Sequence, residues 1–580
     1  MIPKGASRHA GDDDSPLSAL AVAAPGLGAL LRHVRLFSSD GPVEVAGIRI
    51  RPSMPESTGE VGYDDPAVYR RTSAVVYSVA ALLSLILRRV VVTDGTGVER
   101  EIVGFAFRDQ AAWRERTPYD PNELLQYVAG PCRIACEFCY LKGNPPALRR
   151  IHTMISDREF AYRLALFNHG QRIFPKSVLS TDEQTTSPRL LPALRAVRAV
   201  TDAPVFIETN GVSLTRNLLE RLALEKPVFV NVSVNTMDRR LRWDLMHDRR
   251  PGRVRQALEL LRETGIPYST SIVPWHDIPL DDVEETTRLA ASLGAGHIRV
   301  RLPGYTSHFA PEQLFDLDTL WPAVIERLAR IRPEVGCPIL VEPGKYEQLY
   351  AFDRWELPVV LGVVPGSPAF EAGVRRGDYL TAVNGIPMFW RSDGFGALVR
   401  LMVNRKDLRM RLLRNGQRLE CGIRFTERDA YPYMAADHRS PYGIFMCDDI
   451  DRDAMNRLKS LLADAKARTP VLVTSRLMER SARDLLRMFD VERGFPTLRL
   501  AVIPNRYFGG NIFMGDLLVT DDVIGFIRAE ASRGERPDLV ILPSSAFNEH
   551  GRDLVGVSYR RIEHMTGVRA VLLSTRMITQ

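Results

Sequence analysis

The 580-residue sequence predicts an α/β fold built on a parallel sheet, followed by a small β-rich module and a last α/β region. Three observations predict it. Between about residues 124 and 303, short β-branched runs alternate with amphipathic stretches, the pattern of strands each followed by a helix. Between about 355 and 425 the texture changes to short strands with many glycines, as in "PGSPAFEAGVRRGDYLTAVNG". From about 426 to 580, strands and helices alternate again, through "PVLVTS", "ERSARDLLRMF", "TLRLAVIP" and "PDLVILP". A chain of this length exceeds one ordinary core, so roughly two to four domains are expected.

Residues 1–123 read as an N-terminal extension. It holds a weakly ordered leader, strand-like pieces, an apolar helix over 73–87 and a hairpin, "RRVVVTDGTGVEREIVGFAF", with "DGTG" at its turn. Asp12, Asp13 and Asp14 argue against a transit or signal peptide. The apolar run "SAVVYSVAALLSLIL" is short for a bilayer and carries serines, so it reads as a buried helix, with an interfacial membrane helix as the alternative.

Residues 124–310 form the main α/β unit. Its strands are "LLQYVA", "KSVLS", "APVFIE", "KPVFVNVSV", "IPYSTSIV" and "GHIRVRL". Helices are expected near 157–169, 188–200, 214–225, 252–264 and 281–293, with stop signals such as "ETGIP" and "LGAG". Residues 311–354 read as a helical connector leading through "CPILVEPG". Residues 355–425 are the β-rich module, and 426–580 the C-terminal domain.

Composition narrows the function classes. Apolar residues at 45% and charged residues at 25% describe a folding, globular chain. The net charge of +7 is spread along the sequence with no Lys/Arg block, so no nucleic-acid arm is expected, while an anionic ligand is permitted. Six cysteines are too sparse for a secreted disulfide framework, and a reducing cytoplasm is the expectation. Cys337, Cys421 and Cys447 lie far apart and read as small hydrophobes.

The other three cysteines, Cys132, Cys136 and Cys139, share the loop "GPCRIACEFCYLKG". In a parallel α/β sheet, chemistry sits on loops at the carboxyl ends of strands, and this loop follows the first one. Three thiolates can hold three irons of a [4Fe–4S] cubane and leave the fourth iron open. Zinc is the competing reading, but it lacks a nearby fourth cysteine and would have to recruit His152.

The C-x3-C-x2-C spacing, with Phe138 before the last cysteine and "CYLKG" as its continuation, resembles the radical S-adenosylmethionine enzymes. The resemblance implies a partial (β/α)6 TIM-type barrel, one [4Fe–4S] cluster and S-adenosylmethionine bound at the open iron. It further implies reductive cleavage to a 5′-deoxyadenosyl radical that takes a hydrogen atom from substrate, and an electron donor such as flavodoxin or ferredoxin. Phe138 would pack near adenine. Thr181, Asp182, Glu183 and Gln184 fall where the family carries Gly-Gly-Glu-Pro, and only Glu183 matches. An acid there suits the cofactor's ammonium, and a solvated helix start is the alternative. "FIETNGV" resembles the family pattern after the third strand, so Asn210 is a cofactor candidate, although "NG" by itself would be a turn. Ser233 and Asn235, two apart on the fourth strand, are candidates for ribose and carboxylate contacts, against a core strand with a polar end. One of Arg249, Arg250 and Arg253 would approach the carboxylate, with a solvated face as the plainer fate. Arg299, Arg301, Tyr305 and His308, on and beyond the sixth strand, are candidates to line the substrate end, though a lone histidine is more often structural.

Downstream, "VVLGVVPGSPAFEAGVRRGDYLTAVNGIPM" resembles a PDZ domain, carried by Gly373, Gly377, Asp378, Asn384 and Gly385. This implies peptide capture by strand addition, or a module docked within its own chain. "NRYFGGNIFMGDLL" and "PDLVILPSSAFNEHGRDL" are similar to the DUF512 type of C-terminal domain, on Asn505, Phe508, Gly509, Gly510 and Asn511. The expected substrate is a small biosynthetic metabolite. The alternatives are a peptide presented by the PDZ-like module, or a non-catalytic iron–sulfur sensor or scaffold, which the degenerate "TDEQ" favours. Neither a membrane nor a nucleic-acid partner is expected.

Overall fold

A computed structural model describes residues 130–145, 183–199, 205–342, 357–404, 406–425, 440–446, 452–513, 515–547 and 551–573, with five short strands before residue 103. The apolar helix expected over 73–87, the first two barrel strands and the helix near 157–169 lie outside the described residues. The chain divides into two compact units. The first holds an antiparallel meander of β1 (Val34–Arg35), β2 (Val43–Val45) and β3 (Ile48–Ile50), and the expected hairpin of β4 (Val90–Thr93) with β5 (Glu99–Ile102). Everything described from residue 130 onward belongs to the second.

The second unit starts with five parallel strands: β6 (Val205–Thr209), β7 (Val228–Ser233), β8 (Tyr268–Ile272), β9 (Ile298–Arg301) and β10 (Ile339–Glu342). They lie side by side in chain order. Helices α1 (Leu190–Arg198), α2 (Arg216–Ala223), α3 (Arg239–Met246), α4 (Arg253–Thr264), α5 (Leu280–Ser292) and α6 (Leu317–Ile331) alternate with them. The local sequence explains their ends. Thr215 caps α2 by accepting the Leu218 N–H, and Gly265 stops α4 in the left-handed conformation that a side chain disfavours. The segment expected as a helical connector forms α6 and then continues as β10, which pairs with β9 and extends the sheet.

The outward faces of the strands are apolar and fully buried, as at Val205, Ile207, Val228, Val230, Val232, Ile298 and Val300, and they pack under the helices. The inward face is polar above an aromatic floor of Phe206, Phe229 and His297. Glu208, Asn231 and Ser269 stand in register on β6, β7 and β8. Two strands intervene between β6 and β9, yet an Arg301 Nη lies 3.5 Å from Glu208 Oε1, so the sheet curls far enough for its inward face to close across a lumen.

β11 (Val360–Val363), β12 (Tyr379–Val383), β13 (Ile386–Pro387), α7 (Arg391–Val403), β14 (Leu408–Arg414), β15 (Gln417–Ile423) and β16 (Ile444–Met446) make the small β-rich module. Buried Asp378 is clamped by Arg414 through two hydrogen bonds of 2.6 and 2.7 Å. Asn384 and Gly385, both at positive φ, turn β12 into β13. β16 lies beyond residue 425 and pairs with β11.

The C-terminal sheet is parallel and contains β17 (Pro470–Thr474), β18 (Arg499–Val502), β19 (Leu539–Pro543) and β20 (Arg569–Leu573), in the order β18-β17-β19-β20. α8 (Arg452–Ala465) and α9 (Glu479–Met488) cover one face, on Leu472 and Ile541. α10 (Thr520–Ser532) and α11 (Arg560–Thr566) cover the other, on Val540 and Leu542. Among the described residues no helix is long and apolar enough to cross a membrane. Cys337 is buried and Cys421 partly so, as expected of small hydrophobes, and Cys447 lies outside the described residues.

Candidate functional site

The cysteine loop lies across the carboxyl ends of the parallel strands and is held from several sides. The N–H groups of Ala135 and Glu137, which flank Cys136, donate to the carbonyls of Met246 and Leu245 at the end of α3, at 3.0 and 2.8 Å. The Glu137 carboxylate accepts from Gln313 at 3.0 Å, stands 3.4 Å from the Lys142 ammonium and pairs with the His247 ring. Gly130, at the loop's start, exchanges two backbone hydrogen bonds with Glu183. At the loop's far end Thr306 donates to the Gly143 carbonyl, and the Phe309 ring leaves no room for a Cβ on Gly143.

Glu183 is buried, not a solvated helix start. One carboxylate oxygen accepts from the Thr185 hydroxyl at 2.6 Å, and the other from the Asn210 N–H at 2.9 Å. The Asn210 side-chain amide reaches Cys132 Sγ at 3.4 Å, while its oxygen accepts from the Val212 N–H. Glu183, Asn210 and Cys132 therefore meet at one point. Thr181 and Asp182 lie outside the described residues. Phe138 packs against Trp275 with ring centres 5.9 Å apart, and Trp275 continues to Phe309 and Phe315.

Ser233 and Asn235 do not share a strand face. β7 ends at Ser233, and Asn235 takes a left-handed φ of 59°, which breaks the two-residue alternation. Ser233 meets the Ser271 hydroxyl, and Asn235 accepts from the Val273 N–H at 3.0 Å, so both join strand ends. Arg249 and Arg250 are exposed, and Arg253 pairs with Gln256 on its own helix.

Arg299 and Arg301 share the inward face and both meet Glu342. With Glu208, Asn231 and Ser269 they form a continuous polar network across the lumen. Tyr305 is turned to structural use: its hydroxyl donates to the Phe315 carbonyl, and its N–H donates to Asn511 Oδ1. His308 is exposed. Glu208, Glu342, Trp275, Arg242 and Asp248 are residues the sequence reading missed. A signal existed for Glu208, which stands two before Asn210 in "FIETNG"; for the others nothing local sets them apart.

The donor set fits an iron–sulfur cluster. Three free thiols lie on one loop, and thiolates are the ligands such clusters select. Burial pushes the Cys132 thiol above its ordinary value. Burial and the two neighbouring thiols push Cys136 up to about 12, against the opposing charge of Arg242. Metal ligation reverses that cost, because a coordinated thiol is deprotonated. Among the described residues no three His, Cys, Asp or Glu side chains gather tightly enough for a single ion. A cubane takes one thiolate per iron and asks for a wider set.

Residues 128–290 match the radical SAM superfamily, and residues 359–414 match a PDZ domain. No curated protein matches the chain. Among solved structures the chain is similar to Streptococcus suis SuiB bound to S-adenosylmethionine, at 19% identity over 29% of this chain and 38% of that one, with a TM-score of 0.25. It is similar to SuiB bound to the precursor peptide SuiA, at 17% identity over 49% and 64%, with a TM-score of 0.31. Methylornithine synthase, PylB, shares 12% identity over 40% and 70%, with a TM-score of 0.29. The chain thus spans less than two thirds of SuiB's length. The superfamily match falls on the cysteine loop and on strands β6 to β8, and the chain carries a radical SAM domain, whose family uses an iron–sulfur cluster and S-adenosylmethionine, followed by a PDZ domain.

Proposed function

We propose that this protein is a radical SAM enzyme that acts on a small, polar metabolite. Cys132, Cys136 and Cys139 would hold a [4Fe–4S] cluster, which when bound supplies the electron that cleaves S-adenosylmethionine to a hydrogen-abstracting radical. The single observation that carries the reading is the meeting of Cys132, Asn210 and Glu183, because it brings three separate sequence candidates to one point. Glu183 orients the Asn210 backbone, and the Asn210 amide donates to the Cys132 sulfur. Phe138 and Trp275 give an aromatic wall for the adenine. The lumen network of Arg299, Arg301, Glu208 and Glu342 favours a substrate bearing charge or several hydrogen-bonding groups, since burying apolar matter against these ions would leave them poorly solvated.

A peptide substrate is the second reading, and the observation favouring it is the PDZ domain itself. The deciding experiment reduces the anaerobically reconstituted chain with S-adenosylmethionine and measures 5′-deoxyadenosine. Formation is expected, and Cys136→Ala should lower it by at least ~10²-fold, the order of effect of removing an essential group. A reconstituted chain that binds iron and never cleaves S-adenosylmethionine would point instead to a sensor or scaffold. Peptide capture on immobilised full-length protein separates the two substrate classes.

A further inference from the structure

On α3, the helix that anchors the cysteine loop, stands a cation that no sequence motif announced. Arg242, on the inner side of α3, is completely buried, as is its partner Asp248. Its Nε donates to Asp248 Oδ2 at 2.9 Å, and one Nη donates to the carbonyls of Val234 and Thr236 at 2.7 and 3.1 Å. The other Nη is buried with no partner. A desolvated guanidinium normally fills all its donor positions, so an orphaned one calls for a group that the protein chain does not itself supply.

The surroundings identify that group. The Arg242 charge reaches two titratable side chains, Asp248 and Cys136. The cysteine loop is fastened to the end of the same helix by the Ala135 and Glu137 hydrogen bonds. Met246, one turn on, packs with Cys136 and Phe138.

We propose that Arg242 is a positioning residue for the iron–sulfur cluster, presenting its unpaired N–H and its charge to the Cys136 side and raising the cluster's reduction potential. This rests on the cluster assignment above. Reduction adds one negative charge to the cluster, and a fixed nearby cation or sulfur-directed donor stabilises that state. The electron comes from a low-potential donor of the flavodoxin or ferredoxin class, and no bond forms or breaks at Arg242. Asp248 and the two carbonyls hold the guanidinium in place when the cluster changes charge.

The test is an EPR-monitored redox titration of the full chain, reconstituted anaerobically with iron and sulfide. Arg242→Gln should move the midpoint to a more negative potential at unchanged iron content, and Arg242→Lys should restore part of the shift. Arg242→Gln leaves Asp248 buried with only the Arg250 N–H as a partner, so Arg242→Gln/Asp248→Asn is titrated beside it and should shift in the same direction. An unchanged midpoint in a fully loaded double variant overturns the proposal and leaves the cluster assignment standing. An unsubstituted chain that takes up no iron overturns both.

Discussion

Glu137 shows how one half-buried side chain can govern a functional loop. It sits between two of the cysteines and gathers Lys142, His247 and Gln313 from three different segments. Partial burial raises its pKa, but the contacts with His247 and Lys142 outweigh this and hold it below the ordinary 4.5. A carboxylate depressed on folding stabilises above its unfolded pKa and loses that contribution as pH falls through the folded value. The anchoring should therefore be complete above pH 4.5 and fade below it. Pairs this exposed contribute about 1 kcal/mol or less, so the effect is local. Amide protection at Ala135 and Glu137 should drop in Glu137→Gln at neutral pH. The unsubstituted chain should approach the variant under acid; protection that is equal in both at pH 7 would rule this out. The cysteines, Phe138 and Asn210 were legible in the sequence because each lies within a few residues of a recognisable pattern. Glu342 and Arg242 were not, because their meaning comes from partners that only strand order and helix placement bring close.

At the scale of elements, His297 is the contact to watch. It precedes β9, stacks on Phe229 of β7 and meets Phe445 of β16 edge-on at 4.7 Å, so it joins the curled sheet to the PDZ domain. Burial, with the Arg299 charge in support, lowers its pKa from 6.5 to about 3. The folded chain thus resists taking a proton that the unfolded chain accepts. Stability should be undiminished above pH 6.5 and fall by up to about 1.4 kcal/mol per pH unit below it, until the folded pKa is reached. Urea unfolding between pH 7.5 and 5 should show this slope, reduced in His297→Gln; an identical slope in both would assign it to other groups. Periodicity and capping signals in the sequence located α1, α2, α4, α5 and β6 to β9 closely. They did not reveal that "CPILVEPG" would become β10, because a four-residue strand carries its pairing preference in its neighbour and not in itself.

For the whole second unit, the C-terminal domain closes onto the barrel. The Asn511 N–H donates to the Tyr305 carbonyl, and the Ser307 N–H and hydroxyl donate to the Phe508 carbonyl. Gly510 takes a positive φ directly against the Tyr305 carbonyl, where a Cβ has no space. The segment it touches, residues 304–309, also holds the end of the cysteine loop through Thr306 and Phe309. Gly510→Ala should cost about 1–3 kcal/mol from backbone strain, with displacement of the docked segment added. Limited proteolysis should then cut near residues 304–309 in the variant, and iron should be lost faster. A variant with unchanged cleavage and iron retention would show that the two domains merely touch.

The sequence by itself determined the local chemistry: three thiols on one loop, an acid and an amide at the next strand ends, the alternation of strands and helices, and glycines where turns need positive φ. These are properties of short segments, set by side-chain type and backbone sterics. The tertiary structure decided the rest. It curled the sheet so that Arg301 reaches Glu208, buried Arg242 against Asp248, broke the face shared by Ser233 and Asn235, and turned Tyr305 from a substrate candidate into a docking point for Asn511. Each outcome depends on groups far apart in the chain, and their distances are set by how the sheet curves and the domains pack.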